Sequence, residues 1–545
     1  MNRASFLSLL PSRDDYRDFR RTWKDDLVAG VTVGIVALPL ALAFGVSSGA
    51  GAEAGLITAI VAGLIAAVFG GSHVQVSGPT GAMVVVLAPI VALHGVGTVA
   101  LISVMAGIIV IVAGALRLGR AVTYIPWPVI EGFTAGIGII IFMQQVPAAV
   151  GVANEGHSTN AVVAAFQSIG EASWPAAFMP VAAVAATAAI MLVLGRFLPR
   201  IPGSFIAILV VSVIVIGAGL PLASIGELPS SLPAPSLPSF SPDLLLTLTG
   251  PAFAVAALAA IESLLSARVA ATLADTGTVN ADRELVGQGL ASLVTGFFGG
   301  MPATGAIART AVNVRSGART RVASIVHALI LLLVVLVAST VVSKIPLAAL
   351  SGVLMMTAAR MVSISTMRQV AGSGRSSLAV YAITLFVTVA FDLVVAVGIG
   401  LAFAAFFALR ALSRLSGAHR EPLPGEHESG DERIALFRID GSLFFGAADR
   451  LSDEITRVPG IEVVILRLSQ LQLVDSTGAH ALAELIEVLE RRGATVLIKG
   501  VRDEHRDLLE KLGVLDALRH PNHLFAELEP ALAHARDHVQ RPQDH

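Results

Sequence analysis

The sequence predicts a polytopic α-helical membrane protein followed by a C-terminal soluble α/β domain, and three observations carry that prediction. The 545-residue chain is 55% hydrophobic and only 14% charged, whereas soluble domains carry about 25% charged residues. Apolar stretches of bilayer-spanning length recur along residues 26–412. Beyond that the pattern turns to short amphipathic segments.

The first charged cluster, Arg13, Asp14, Asp15, Arg17, Arg20, Arg21 and Lys24, precedes the first long apolar run. That order is unlike a cleavable signal peptide and marks 1–25 as a cytoplasmic N-terminal segment. Segments of about 17–25 apolar residues can span a bilayer. Clear candidates are Leu27–Val46, Gly97–Leu116, Val129–Val150, Ala176–Leu194, Ser204–Leu220, Phe253–Leu273 and Val322–Val342. Leu378–Ala411 is long enough for two spans joined near Asp392. Shorter or interrupted segments are Gly55–Phe69, Gly78–Leu93, Leu285–Phe298, Thr304–Val314 and Pro346–Met361. Together they predict about fourteen crossings in a transport domain spanning 26–412.

Charge sets the orientation, because cytoplasmic loops are rich in Lys and Arg. With the basic N-terminal segment inside, every second loop should also be inside. Those loops hold Arg117 and Arg120, then Arg196 and Arg200, Arg283, then Arg315, Arg319 and Arg321. Arg360, Arg368 and Arg375, then Arg410 and Arg414, continue the series. The alternate loops 151–175 and 221–250 have no basic residue, and Lys344 is the main exception. Both termini are therefore expected in the cytoplasm, with the chain in the inner (plasma) membrane.

Residues 413–431 are polar, with two prolines and a charge cluster, and read as a linker. A domain over 432–535 and a tail over 536–545 follow. Arg433–Ile439, Leu443–Phe445, Ile461–Leu468 and Ala494–Ile498 have strand character. Ala479–Arg491 and His505–Leu512 have helical periodicity.

Two short segments in opposite halves of the membrane region are alike: Ser77-Gly78-Pro79-Thr80-Gly81-Ala82-Met83 and Met301-Pro302-Ala303-Thr304-Gly305-Ala306-Ile307. Paired Gly/Pro-interrupted segments in two halves are the sequence pointer to a transporter with inverted repeats and a midplane site. A helix that starts inside the membrane presents unpaired N–H groups and the positive end of its dipole, which attract anions. Arg309, one turn into the second segment, would add a full positive charge. Glu262 lies mid-span with Ser266 at i+4 on the same face. A carboxylate there can take a proton or help to hold Na⁺, and a Glu262–Arg309 pair that breaks on protonation would couple the two. Glu131, His73 and His327 read as structural residues, the histidines with satisfied ring nitrogens. No Walker-type loop is present, which argues against a primary pump. A net charge of −2 gives no reason to expect nucleic acid. The absence of cysteine excludes disulfides and thiolate metal sites. No enzymatic activity, cofactor or metal is predicted.

These residues resemble the SulP anion transporter family over nearly the whole chain. The resemblance rests on Ala37-Leu38-Pro39-Leu40-Ala41-Leu42-Ala43-Phe44, Ser77–Met83, Glu262–Ser266, Asn280–Gly300 and Pro302–Arg319. The C-terminal part resembles a STAS domain, with Asp475-Ser476-Thr477-Gly478 matching the loop phosphorylated in soluble anti-sigma antagonists. The resemblance implies seven plus seven inverted spans, a mobile core and a gate, elevator-like movement and a homodimer. It implies that Phe44, Thr80, Gly81, Thr304, Gly305, Ala306, Ala308 and Arg309 bind the anion. Glu262 and Ser266 match the positions that bind Na⁺ in cyanobacterial bicarbonate-transporting members, which have Asp and Thr there.

Many family members have Gln where this chain has Leu40, so one polar contact to the anion is lost. Arg309 and Glu262 look more like proton-coupled bacterial members. The expected activity is secondary transport of sulfate, bicarbonate or a dicarboxylate, with protons favoured over Na⁺. Na⁺-coupled bicarbonate symport, and an uncoupled channel or exchanger, are the alternatives. Ser476 and Thr477 are read as a phosphorylation site or as caps of the helix near Ala479. The STAS surface is expected to dock a cytoplasmic protein or to scaffold the dimer.

Overall fold

A computed structural model describes residues 9–120, 125–152, 158, 160–198, 201–273, 277–391, 393–415, 417–443 and 460–540. They divide between two units, Met1–Leu401 and Ala402–His545. The first half of the membrane unit runs through α1 (Phe19–Ser47), α2 (Ala52–Phe69), strand β1 (Ser77–Gly78), α3 (Gly81–His94) and α4 (Thr98–Ala115). It continues with α5 (Trp127–Ala149), α6 (Ala161–Glu171), α7 (Trp174–Phe197) and α8 (Gly203–Gly217). The second half holds α9 (Pro242–Leu273), α10 (Ala281–Phe297), β2 (Thr304–Gly305), α11 (Ile307–Arg315) and α12 (Arg321–Val342). Then come α13 (Leu347–Met361), α14 (Ile364–Gly372), α15 (Arg375–Ala390) and α16 (Leu393–Leu415).

Eight helices among the described residues are long and apolar enough to cross a membrane, and Gly81–His94, Gly203–Gly217 and Arg375–Ala390 are shorter apolar ones. The exterior carries large side chains such as Leu246, Val337 and Phe386 in the open. In water such a surface would aggregate, but in lipid it costs nothing.

The helices pack as two groups. α1–α4 join α9–α12 in one, and α5, α7 and α8 join α13 and α15 in the other. Each half of the chain thus gives its first four helices to one group and its next ones to the other. Small residues permit the tightest contact, as is usual without a hydrophobic drive between membrane helices. A Cβ at Gly107 of α4 would lie 2.6 Å from the Leu293 nitrogen, and one at Gly289 of α10 would lie 2.6 Å from the Ile111 nitrogen.

Buried polar bonds lock the first group where α1 meets α12. Asp26 is fully buried. It accepts the backbone N–H groups of Arg319 (2.7 Å) and Thr320 (2.9 Å), and the Thr320 hydroxyl (2.7 Å). Asp15 pairs with Arg283 at 2.7 Å and with Arg321 at 3.4 Å.

The second unit is a sheet ordered β3 (Gly417–Glu421), β4 (Ile434–Leu443), β5 (Val463–Arg467), β7 (Thr495–Lys499), β8 (Leu524–Phe525), with β6 (Leu471–Val474) also pairing with β4. Only β3 is antiparallel. Strand side chains alternate between two cores. Ala435, Phe437, Val464 and Val496 pack with Leu482 and Ile486 of α17 (Ser476–Arg491) and Leu509 of α18 (Asp503–Lys511). Ile434, Leu436, Ile465 and Leu497 pack on Leu532, Ala535 and Val539 of α19 (Leu528–Gln540).

Several local expectations change. The stretch 413–431 contains β3, which pairs along β4 and is pinned by Glu421 to Arg438 (2.7 Å) and Arg467 (3.0 Å). Ile434–Leu443 is one continuous strand, and Phe445 lies outside the described residues. Helix α19 runs through the boundary drawn at 535, because Ala535 and Val539 continue its apolar stripe. Helix α17 starts at Ser476, not near Ala479. Its cap is the Asp475 carboxylate, which accepts the Gly478 N–H at 2.7 Å. Ser476 and Thr477 are therefore not its caps. They are its first helical residues, and both are exposed.

Candidate functional site

β1 and β2 bring the two sequence-alike segments together as an antiparallel pair, Ser77 opposite Gly305 and Gly78 opposite Thr304. Helices α3 and α11 leave this pair at its two ends. The first intrahelical bonds run from Val84 N–H to the Thr80 carbonyl and from Thr310 N–H to the Ala306 carbonyl. The N–H groups of residues 81–83 and 307–309 precede those bonds and have no acceptor within their helices.

Side chains cap some helices, as at Asn160, Asn280, Thr320 and Ser363, and other helices start without one, as at Pro126 and Pro346. At Thr80 and Ala306 no side chain caps the helix. The second half-helix thus starts at Ala306 and not at Thr304, whose backbone is taken up by pairing with Gly78.

The charged groups converge on the turn between β1 and α3. Arg309 is 2% exposed, and its Nη2 donates to the Pro79 carbonyl at 2.6 Å. Its Nη1 has no hydrogen-bond partner. The guanidinium lies over Gly78, where a Cβ would stand 2.8 Å from Nη1. Thr80 donates its hydroxyl to Glu262 Oε2 at 2.8 Å, and the Thr304 side chain faces the same carboxylate. Glu262 and Arg309 therefore act on adjacent residues of one turn, through Thr80 and Pro79, instead of through the direct pair considered above. Ser266 Oγ lies 3.1 Å from Thr310 Oγ1, which also accepts the Val76 N–H at 3.1 Å. Ser263 Oγ accepts the Gly305 N–H at 2.9 Å.

Phe44 closes the site on the α1 side, since a Cβ at Gly81 would lie 3.3 Å from its ring. The same Cβ would meet Ile141 of α5 at 2.2 Å, which places Gly81 where the two helix groups touch. Ala308 is exposed on the first turn of α11, while Ala306 is buried.

Sequence reasoning assigned no role to the residues that hold these ends in place. Glu284, 1% exposed, accepts Gly71 N–H (2.7 Å), Ser72 N–H (3.0 Å), and the side-chain amides of Gln75 and Gln288 (both 2.9 Å). Gln288 in turn bonds Ser77 Oγ at 2.5 Å. Asn313 and Ser324 hold the carbonyls of Val74 and Gln75. On the β2 side, Thr58 accepts the Met301 N–H at 2.8 Å and donates to its carbonyl at 3.0 Å. Thr58 opens a π-helical turn of α2, a distortion that is frequent at functional sites. The i,i+4 spacing of Glu284 and Gln288 was the available signal.

Glu131 accepts the Trp127 indole N–H at 2.9 Å, a structural contact. His327 departs from expectation. It is fully buried, and neither ring nitrogen has a hydrogen-bond partner. Its polar neighbours are the Ser324 backbone and the Arg309 guanidinium.

Residues 23–384 match the sulfate permease family, and residues 429–531 match the STAS domain. A Bacillus subtilis protein provisionally named sulfate transporter YvdB is 34% identical, covering 90% of this chain and 94% of its own. The bicarbonate transporter BicA of Picosynechococcus sp. is 31% identical, covering 94% and 95%. The solved structure of SLC26A9 superposes with a TM-score of 0.82 over 98% of this chain and 94% of that one, at 17% identity, so it speaks to the fold alone. The chain belongs to the sulfate permease family, as a multi-pass membrane transporter with a C-terminal STAS domain.

Proposed function

We propose that this protein is a proton-coupled secondary transporter of a small anion of the sulfate, bicarbonate or dicarboxylate class. The anion would sit between the starts of α3 and α11, against Phe44, Thr80, Gly81, Thr304, Gly305, Ala306, Ala308 and Arg309. The observation that carries this reading is the buried, unpartnered Nη1 of Arg309 beside two helix N-termini that lack side-chain caps. A buried cationic N–H without an acceptor costs several kcal/mol unless a ligand supplies one.

Coupling follows from charge. With Glu262 ionised, its negative charge offsets Arg309. A proton on Glu262 leaves the turn net positive and favours the anion, and by reciprocity the bound anion favours the proton. Loaded and empty sites are then the electrically relaxed states, and the group α1–α4 with α9–α12 would carry the site past the other group. The relatives named as bicarbonate transporters support bicarbonate as a candidate substrate; in the Na⁺-coupled alternative Glu262 and Ser266 would hold the ion. Alternating basic loops support cytoplasmic termini and an inner-membrane location. A homodimer and a cytoplasmic protein partner at the STAS domain belong to the same reading. So does phosphorylation at the exposed Ser476 or Thr477.

The test is uptake of labelled sulfate, bicarbonate and fumarate into proteoliposomes, under an inward proton gradient and separately under an inward Na⁺ gradient. Proton-driven accumulation of one anion, lost in Glu262→Gln while binding of that anion persists, is the expected result. Full proton-driven accumulation by Glu262→Gln removes Glu262 from coupling, and uptake driven only by Na⁺ selects the other cation.

A further inference from the structure

The second unit holds a cluster of titratable groups that anion transport does not use. Strand β8 is preceded by the short turn Pro521–His523, and helix α19, which packs across one face of the sheet, also contacts β8. Three imidazoles meet there: His523 from the turn, and His534 and His538 at i,i+4 on α19. Their ring centroids are 5.4 Å (His523–His534), 5.8 Å (His534–His538) and 6.2 Å (His523–His538) apart. One ring nitrogen from each lies within 4.8 Å of the other two.

Two of these nitrogens are orphans. His523 is 5% exposed and its Nδ1 has no partner, and the buried Nε2 of His534 has none either. Buried polar atoms are almost always satisfied, so two orphans on facing rings call for an acceptor-seeking ligand. A cation that accepts lone pairs meets that need, whereas a water or an anion would leave the mutual approach of three bases unexplained. We propose that His523, His534 and His538 form a binding site for a borderline divalent transition metal of the zinc class.

The chemistry fits in each respect. Neutral imidazole is a preferred ligand of zinc, copper and nickel, and hard cations such as Mg²⁺ and Ca²⁺ prefer oxygen. Two histidines at i,i+4 present their rings to one point, and a third from outside the helix completes an open three-histidine site with a position left for water. Zinc–nitrogen bonds of about 2.0–2.1 Å require the three nitrogens at about 3.4 Å from one another, reached by small rotations of each ring. The two arginines near the cluster are both paired, Arg536 with Asp431 and Glu428 and Arg519 with Glu490. A metal here would tie α19 to the β8 edge of the sheet.

The test uses the full-length protein without a histidine tag, purified in detergent, titrated with Zn²⁺ against a chromogenic chelator and with Co²⁺ by absorption. One equivalent of Zn²⁺ per chain is expected, with Co²⁺ bands of a nitrogen-ligated tetrahedral ion. His534→Gln and His538→Gln should each weaken binding at least 100-fold. His480→Gln, on an exposed turn of α17, should leave it unchanged. The two α19 side chains are partly exposed, so these variants retain a folded domain even where His523→Gln does not. Slower amide hydrogen exchange over Leu528–Gln540 on adding Zn²⁺ is the second expected readout. Absence of a one-equivalent site in the wild type, or equal affinity in His534→Gln and His538→Gln, overturns the proposal.

Discussion

Arg309→Gln separates a binding arginine from a structural one. The guanidinium has two jobs in the structure, since Nη2 holds the Pro79 carbonyl at 2.6 Å and Nη1 faces the site without a partner. Glutamine can still reach Pro79 with its amide, but it brings neither the charge nor a second aligned donor. A hydrogen bond to a charged group contributes about 1.5–3 kcal/mol. At 1.36 kcal/mol per tenfold, the half-saturating anion concentration should rise roughly 10- to 150-fold. Arg309→Lys should fall between, because one ammonium must reach both the carbonyl and the anion. The assay is initial-rate uptake of the labelled anion into proteoliposomes over a range of concentrations, with the melting temperature of each purified variant as the control for folding. Half-saturation within twofold of wild type in a normally melting Arg309→Gln would refute the binding role and leave the arginine as a brace for the Pro79 turn.

Other perturbations follow from the same geometry. Glu284→Ala strands four donors at once and should cost about 3–5 kcal/mol, seen as a lower melting temperature and reduced yield of folded protein. Asp26→Ala removes the buried anchor of the Arg319–Thr320 turn and should cost about 1–3 kcal/mol by the same measurement. Gly81→Val places a branched side chain against Ile141 and the Phe44 ring. It should abolish uptake while the fold, measured by melting, is largely retained. In the STAS unit, the hydrogen bond from Arg536 is the main cause holding the Asp431 carboxyl below its usual value, against the opposing effect of burial. The sign is that of a depressed acid: this stability is present above pH of about 4 and is lost as pH falls through the lowered value. Arg536→Met should therefore flatten the acid limb of the domain's pH–stability curve, measured by denaturant unfolding.

What could be read from the sequence was whatever depends on neighbours along the chain. Helix positions followed from runs of apolar residues, and the two half-helices from the repeated Pro, Thr, Gly and Ala. Arg309 and Glu262 stood out because charge in an apolar run is rare. Glu284 carries the same charge, yet its meaning depends on Gly71, Ser72 and Gln75 arriving from the opposite half of the chain. Strand β3 was hidden for a related reason. Gly417-Ala418-His419-Arg420-Glu421 has no apolar alternation, because an edge strand held by Glu421 to Arg438 and Arg467 needs none. The cap of α17 is Asp475, one and two residues before the Ser476 and Thr477 expected to cap it, and all three are good cappers. Only the backbone geometry decides which of them precedes the first helical residue.

The balance of forces at the site explains why so few side chains identify it. Each half-helix end supplies about half a positive charge without an ionisable group, so the site's charge is distributed over backbone that any small residue can provide. What must be specific is the scaffold that keeps two such ends facing each other against their mutual repulsion. Glu284 does this for the β1 side by fixing 71–75, and Thr58 does it for the β2 side by fixing Met301. Glu284 holds two main-chain N–H groups and the amides of Gln75 and Gln288, Thr58 holds main chain alone, and neither is among the residues of the proposed anion site. Weakening either should therefore loosen the register of Ser77 with Gly305 before it alters anion preference. Glu284→Gln would then reduce transport of every anion in proportion, whereas a change at Phe44 or Arg309 would alter their ratios. A Glu284→Gln protein with normal melting but an inverted order of sulfate and bicarbonate would place that carboxylate in recognition instead of in support.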